Sequence, residues 1–248
     1  MQTIGTSAAH GNTTAIILAA GVGRRFGSEM DDHPKGMLQV GGETLLARLV
    51  RQLRAAGVLR TTIVIGHLGE QVRAAFADAT DVEILVNPDY TRGAILSLWT
   101  AETHLDGEAL VMDADVWGPD ELVARLVQSP QENCLLLDGR AKASGEEQML
   151  MVRDGRVHDI SRRPGGDWDL LGESVGFLKL SAEAAREFRE LLRVRIERGD
   201  LDREHEEAYP ELMARVVIGF ERVDDLDWTE IDFPEDLQRA RELAAAED

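Results

Sequence analysis

A glycine-rich turn follows the first apolar run of the chain and carries basic side chains. The run "TAIILAA" (14–20) is typical of a buried strand. It continues into "GVGRRFG" (21–27), where Gly21, Gly23 and Gly27 surround two arginines. Backbone N–H groups at a glycine-rich turn after a strand bind anions, and phosphates in particular. This turn is therefore the first candidate for chemistry.

Two well-known phosphate loops fit the turn poorly. A dinucleotide-binding fingerprint has its third glycine three positions after the second, whereas Gly27 comes one residue later, and the strand predicted over 61–67 does not end in the required acid. No Gly-Lys-Ser/Thr follows, which argues against a P-loop. Arg24, Arg25 and the nearby Lys35 instead suit a triphosphate and its departing pyrophosphate. The alternative for the two arginines is a pair of solvated surface charges.

Carboxylates come at two distant places where they could bind a metal ion. Asp113 and Asp115 end the fourth predicted strand, at the edge where open α/β sheets place their ligands. Asp232 comes just before a helix that Pro234 begins. Such oxygen ligands suit Mg²⁺, which takes one or two carboxylates together with phosphates and waters. From the residues alone, Asp232 is as readily a helix N-cap. A cap of the next turn is likewise the alternative for one of the two earlier aspartates.

The elements that must position these residues alternate between strand and helix over about the first 130 residues. Short links between them predict βα units and a mostly parallel sheet. Further on, we predict a hairpin that turns at Asp154-Gly155, a helix capped by Ser181 and a closing helix from Pro234. We expect residues 1–13 to form a flexible extension and 14–244 to form a single domain.

The composition excludes several classes of partner. The net charge is −19, from 27 basic and 46 acidic residues, which disfavours nucleic acid and anionic membranes. No apolar stretch approaches the roughly 20 residues of a membrane helix, and the N-terminus lacks a signal-peptide core. The single cysteine, Cys134, lies in an apolar run and is expected to be a buried thiol in a reducing compartment. We therefore expect a cytoplasmic protein with no nucleic-acid or membrane partner.

The stretch "LAAGVGRRFG…PKGML" resembles the L-A-A-G-x-G-x-R and P-K signature of nucleotidyltransferases that join an NTP to a phosphorylated small molecule. The resemblance implies an α/β, Rossmann-like nucleotidyltransferase fold: a mostly parallel mixed sheet flanked by helices, with a small β-hairpin and helical insertion for the acceptor. It also implies that Arg25 and Lys35 act as catalytic charge clamps. The implied nucleotide-binding residues are Leu18, Ala19, Ala20, Gly21, Gly23, Arg24, Asn87, Ser97 and Asp113.

The same resemblance covers the two distant aspartates. Members of this superfamily hold Mg²⁺ between an aspartate after the fourth strand and one in a late E-I-D-T-P-E-D-L-type motif. Asp115 and Asp232 match these positions, so the resemblance implies that they bind Mg²⁺. Phe233 stands where the family often has threonine, a change that we do not expect to affect the metal.

Later segments narrow the resemblance. The stretches "GESVGFLKLS", "HEEAYPEL" and "DWTEIDFPEDLQRA" resemble the phosphocholine cytidylyltransferase type and its aminoethylphosphonate and inositol-phosphate relatives. This implies CTP and an acceptor such as phosphocholine or 2-aminoethylphosphonate. However, Ala94 stands where these cytidylyltransferases usually carry asparagine, and Gly93 stands where molybdopterin-type nucleotidyltransferases carry glycine. Sugar-1-phosphate, inositol-phosphate or molybdopterin transfer from another NTP therefore stays as the alternative, and a nucleotide sensor without catalysis is the rival class.

The acceptor site is predicted from one arginine and a set of aromatic and acidic residues. Arg162 stands where the family tends to have lysine and is interpreted as a catalytic clamp on the acceptor or α-phosphate, the alternative being a solvated hairpin charge. Aromatic rings with carboxylates would hold a choline or ammonium head group by cation–π and charge attraction. The predicted acceptor-binding residues are Trp168, Glu173, Glu206, Tyr209 and Trp228. For each residue taken alone, a core or surface position is the stronger interpretation. A homodimer is one option for assembly.

Overall fold

A nine-stranded mixed sheet forms the centre of a computed structural model, which describes residues 12–23, 26 and 33–247. Strands of this sheet and of two small ribbons are β1 Thr14–Ala19, β2 Gln39–Val40, β3 Glu43–Thr44, β4 Arg60–Ile65, β5 Val82–Val86, β6 Ala109–Asp113, β7 Val116–Trp117, β8 Cys134–Asp138, β9 Met149–Arg153, β10 Arg156–Ser161, β11 Leu170–Leu180, β12 Gly219–Arg222 and β13 Thr229–Glu230. Helices are α1 Leu45–Ala55, α2 Gly69–Ala75, α3 Ala94–Thr100, α4 Asp120–Gln128, α5 Ala182–Glu197, α6 Tyr209–Met213 and α7 Pro234–Glu247.

Some predictions fall on residues that the structure does not describe. Arg24 and Arg25 lie outside the described residues, as do Gly27 and all but the last two positions of the extension predicted over 1–13. The predicted roles of both arginines therefore stay predictions.

The sheet has a parallel half and an antiparallel half. β1 lies between β4 and β6 and runs parallel to both, and β5 continues the parallel part beyond β4. β11 runs antiparallel to β6 and also pairs with β8 and β9, while β10 and β12 complete the sheet. The mixed sheet flanked by helices is thus confirmed, and the carboxyl ends of β1, β4 and β6 meet at one edge.

Helices cover both faces of the sheet because β1 is apolar on both sides. Ile17 packs with residues of α1 and α4 in one cluster, and Ile16 and Leu18 pack with residues of α3 and α5 in another. A strand whose two faces are both buried is typical of parallel sheets and explains the continuous apolar run.

Local predictions based on caps and turns are confirmed. Ser181 caps α5 as predicted, and its side chain accepts the Ala184 N–H at 3.3 Å. Thr44, which was not predicted as a cap, accepts the Ala47 N–H at 3.1 Å and begins α1. Asp154 and Gly155, both with positive φ, form the hairpin turn between β9 and β10. Cys134 is a buried thiol in β8. Among the described residues, no helix has the length and apolar character needed to cross a membrane.

β11 changes partners half-way along its length, close to the end of β6. Its first part pairs with β9 and its last part with β6, and its register against β8 shifts after Ser174. Gly176, at the change, has φ +78°, and a Cβ there would lie 2.5 Å from Oδ2 of Asp113. The glycine therefore leaves space beside the end of β6 for that carboxylate.

Candidate active site

A cleft of about 400 Å³ lies at the edge where β1 and β6 end. Open α/β sheets bind their ligands at this edge. The cleft brings together eleven of the residues predicted from the sequence: Leu18, Ala19, Ala20, Gly21, Lys35, Ser97, Asp113, Asp115, Arg162, Glu206 and Asp232. Parts of the chain more than 200 residues apart thus line one cavity.

Lys35 joins the two distant aspartates. Its Nζ donates to Oδ2 of Asp115 at 3.0 Å and to Oδ1 of Asp232 at 2.6 Å. The lysine begins a short 3₁₀ turn, Lys35–Met37, in which a Cβ at Gly36 would lie 2.7 Å from the Leu46 side chain. The glycine in "HPKG" therefore lets this turn pack against α1 and direct Lys35 into the cleft.

Pairing between β7 and β13 explains why Asp115 and Asp232 meet. The two strands are antiparallel, and the N–H of Ile231 donates to the carbonyl of Asp115 at 2.8 Å. The side chain of Ile231 is fully buried beside Trp117 and residues of α7. This apolar anchor holds the second aspartate against the first.

Glu230, which the sequence analysis missed, completes an acidic cluster with the two aspartates. Ligand oxygens of Asp115, Glu230 and Asp232 lie within 4.8 Å of one another. Mg²⁺ holds oxygen ligands at about 2.1 Å, so ligands on opposite sides of it lie about 4 Å apart. The cluster therefore fits this ion in both chemistry and size. The available signal was a second acid two residues before Asp232.

Charge in the cleft is predominantly negative. Seven of the described lining residues are acidic and three are basic. Burial lowers the pKa of Lys35, but the charges of Asp115 and Asp232 outweigh it and hold that pKa above its usual value, so the lysine is charged. Burial, Asp115 and Glu204 together raise the pKa of Asp113 well above its usual range. A polyphosphate entering this cleft therefore needs cations with it.

The first end of the cleft is formed by the glycine turn and the segment between β5 and α3. Gly23 has φ +65° and its carbonyl accepts the N–H of Phe26 at 3.1 Å. Asn87 is buried and donates to Oγ of Ser97 at 3.0 Å, so it orients a residue of the cleft wall. A Cβ at Gly93 would lie 2.2 Å from the backbone of Arg203. Close packing therefore accounts for Gly93, whatever base is bound.

The second end contains Arg162 and several acids. Burial raises the pKa of Glu206 to about 7, although the charge of Arg162 acts against the shift. The sequence analysis missed the cleft residues Glu146, Gln148, Ser174, Glu204 and His205. Ser174 and His205 lie in the stretches "GESVGFLKLS" and "HEEAYPEL" that carry the family resemblance, but neither was assigned a role there.

The structure does not bring the predicted aromatic residues to the cleft. The Trp168 ring lies 4.5 Å from the guanidinium of Arg153 and donates to the carbonyl of Gly165. Trp228 is buried and donates to Oδ2 of Asp138 at 2.9 Å. Both rings therefore have structural partners elsewhere.

Two further acceptor predictions have other surroundings. Tyr209 is buried edge-on against Phe188, in the core behind α5. Glu173 lies on β11 outside the cleft lining, where burial and the charges of Glu147 and Asp138 raise its pKa to about 7. Of the five residues predicted to bind the acceptor, Glu206 alone is among the described lining residues.

A family model describes most of the chain that builds this cleft. The MobA-like NTP transferase domain matches residues 15–197, which include the glycine turn, Lys35, Asp115 and Arg162. The chain belongs to this family. Its Rossmann-like nucleotidyltransferase fold, predicted from the glycine signature, is thereby confirmed.

Relatives and solved structures extend the similarity beyond residue 197. The chain is 30% identical to the bifunctional IPC transferase and DIPP synthase of Thermococcus kodakarensis over 92% of its own length and 50% of that protein. It is 30% identical to the 2-aminoethylphosphonate cytidylyltransferase of Lancefieldella rimae over 65% of this chain and 66% of that one. The structure of the CTP:phosphocholine cytidylyltransferase of Streptococcus pneumoniae superposes with a TM-score of 0.73 at 20% identity, covering 93% of this chain and 98% of that one.

The chain spans about half the length of the bifunctional relatives that it matches.

Proposed function

We propose that this chain transfers CMP from CTP to a small phosphorylated or phosphonate alcohol and releases pyrophosphate. The observation that carries the proposal is Lys35, held at 3.0 and 2.6 Å between Asp115 and Asp232 beside the glycine turn of a nucleotidyltransferase fold. A turn for phosphates, a fixed cation and converging carboxylates are what phosphoryl-group transfer requires.

In the proposed reaction, a phosphate or phosphonate oxygen of the acceptor attacks the α-phosphorus of CTP. A new P–O bond forms as the bond to the β-phosphate oxygen breaks, and pyrophosphate leaves with that electron pair. The attacking oxygen is already ionised at neutral pH, so no general base is needed. Catalysis then consists of positioning and charge neutralisation.

The residues of the cleft divide this work between its two ends. Asp115 and Asp232, with Glu230 beside them, would hold Mg²⁺, which when bound neutralises charge on the triphosphate. Lys35 stabilises the charge that builds on the departing pyrophosphate, and Arg25 is predicted to assist it. Arg162 binds the acceptor or α-phosphate at the other end.

The choice of CTP and of the acceptor class rests on chemical and family arguments. Two relatives named above are cytidylyltransferases, acting on 2-aminoethylphosphonate and on phosphocholine. Close packing against the backbone of Arg203 explains the glycine at position 93, so Gly93 no longer favours a molybdopterin-type enzyme. The acids at the second end of the cleft suit a cationic acceptor better than a neutral sugar, which argues against sugar-1-phosphate transfer.

Pyrophosphate release tests the proposal. The purified chain would be supplied with each of the four NTPs against phosphocholine, 2-aminoethylphosphonate, hydroxyalkylphosphonates, inositol phosphate and hexose-1-phosphates, with Mg²⁺ or with EDTA. We expect release with CTP and a small phosphate or phosphonate, and none in EDTA. Turnover confined to hexose-1-phosphate and another NTP, or no turnover at all, would contradict the proposal.

A further inference from the structure

His205 is a buried polar side chain in the wall of the cleft that lacks hydrogen-bond partners. The residue is 3% exposed and stands at the start of the 3₁₀ turn His205–Ala208, with its ring edge-on to Tyr209 at 5.6 Å. Neither ring nitrogen is hydrogen-bonded within the part of the chain that the structure describes. Unpaired buried nitrogens are rare because lost hydration is not compensated. The two unpaired ring nitrogens of His205 therefore indicate a hydrogen-bond partner on a ligand that enters the cleft.

The imidazole offers one donor and one acceptor to that partner. Burial lowers the pKa of His205, although the charges of Glu206 and Glu204 act in the opposite direction. A neutral imidazole carries one N–H and one nitrogen with a free lone pair. That lone pair suits a group with a proton to donate.

The charges around His205 favour a cation among such groups. Glu204 and Glu206 flank it in the chain, and Asp113 also lines this cleft. Arg162 lines the same cleft, where its charge acts on Glu206, and it can neutralise the phosphate or phosphonate of an acceptor. An acceptor that is anionic at one end and cationic at the other matches this arrangement.

The type of cation follows from the aromatic residues. A quaternary ammonium has no N–H to donate and is typically bound in a cage of aromatic rings. Trp168 and Trp228 have partners elsewhere, and Tyr90 is the one phenol or indole ring among the described lining residues. The cleft thus offers a hydrogen-bonding nitrogen in place of a cage.

We propose that His205 selects acceptors with a primary ammonium opposite the phosphate or phosphonate, and that a ring nitrogen of His205 accepts an N–H from this ammonium. Glu204 balances its charge, as does Glu206 once it has released its proton. A trimethylammonium group would leave both ring nitrogens unpaired, so His205 is a specificity-determining residue against choline-type acceptors. This inference rests on the cytidylyl transfer proposed above.

Four acceptors on one skeleton test the inference: 2-aminoethylphosphonate, its N-trimethyl analogue, 2-hydroxyethylphosphonate and ethylphosphonate. Their kcat/KM values are measured by pyrophosphate release at saturating CTP and Mg²⁺, in the wild type, His205→Phe and His205→Asn. His158→Phe makes the same substitution outside the cleft lining and is the matched control. Thermal unfolding confirms that each variant is folded.

We expect the wild type to prefer the amine over ethylphosphonate and over the trimethyl analogue by at least tenfold. Loss of one hydrogen bond to a charged group should lower both preferences about tenfold in His205→Phe, mainly through the acceptor KM. His205→Asn retains an acceptor oxygen and should stay within about threefold of the wild type. His158→Phe should retain both preferences.

The outcomes separate the two proposals. A wild type that turns over none of the four acceptors with CTP overturns the proposed function, and this inference with it. An active wild type that prefers the trimethyl or hydroxyl analogue overturns the inference alone. So does an unchanged preference for the amine in both folded His205 variants.

Discussion

Lys35→Met isolates the charge of Lys35, because methionine fills similar space without an ammonium. The side chains of Lys35, Asp115 and Asp232 are 16%, 21% and 26% exposed, so the cluster lies close to the protein surface. Two unit charges about 4 Å apart in such a place attract by about 4 kcal/mol. Removing a charge that stabilises a departing group typically slows turnover by 10²–10³-fold, or about 3–4 kcal/mol. We expect a fall of this size in kcat and little change in the acceptor KM.

The variant should also change metal binding in the absence of nucleotide. The ammonium pairs with the carboxylates that we assign to the metal, so it competes with a divalent cation for them. Partial exposure reduces the net value of these ion pairs to about 1–2 kcal/mol. Lys35→Met should therefore bind Mn²⁺, an octahedral oxygen-binding probe for Mg²⁺, about tenfold more tightly.

Steady-state pyrophosphate release and electron paramagnetic resonance of free Mn²⁺ measure the two effects. Lys142→Met, which removes an exposed lysine outside the cleft lining, is the control and should match the wild type in both. A raised acceptor KM at unchanged kcat would refute the leaving-group role of Lys35. An unchanged Mn²⁺ affinity would refute the competition at the carboxylates.

Three further predictions address the proposed metal ligand Asp115, the glycine Gly176 in β11 and the buried acid Glu206. Asp115→Asn should abolish pyrophosphate release while circular dichroism stays native, and undiminished release would remove Asp115 from the metal site. Gly176→Ala should cost at least ~2 kcal/mol in urea denaturation, because strain at positive φ adds to a contact at 2.5 Å with Asp113. Gly155→Ala, with φ +73° and open space, should cost only about 1 kcal/mol, and equal losses would mean that the contact is unimportant. Burial raises the pKa of Glu206 to about 7, so the native state holds a proton that the unfolded chain releases, and stability should fall as pH rises from about 4.5 to 7. Glu206→Gln has no carboxyl to titrate and avoids that loss. The free energy of unfolding of this variant, relative to that of the wild type, should therefore grow by about 2 kcal/mol between pH 5 and 8. A difference that stays constant with pH would contradict the raised pKa of Glu206.

Caps, turns and periodicity predicted the local elements well. The predicted cap Ser181 accepts the Ala184 N–H at the start of α5, and Asp154-Gly155 supplies the positive φ values of the hairpin. These features act over three or four residues, so their signal is present in the sequence. The small strands β7 and β13 escaped prediction because two-residue strands carry no periodicity.

The candidate site was predictable only in part. The glycine turn and the strand-end acids have recognisable spacings, and the resemblance to a known superfamily paired Asp115 with Asp232. Glu230 was missed although it stands two residues before Asp232 in the same motif, whereas His205 was missed because its importance comes from its burial without a hydrogen-bond partner. Conversely, Trp168 and Trp228 were predicted to bind a cationic acceptor, but in the structure they contact Arg153 and Asp138.

The order of residues along the chain sets the alternating elements, the glycine-rich turn and the acidic net charge, because each depends on neighbours or on composition. The order of residues does not by itself bring Lys35 to the aspartates. Lys35 is 80 positions from Asp115 and 197 positions from Asp232 in the chain, so these contacts exist only once the sheet is assembled. The pairing of β7 with β13 brings Asp115 and Asp232 together, and Gly176 in β11 leaves space for the carboxylate of Asp113. Packing also leaves His205 buried in the cleft wall without a partner.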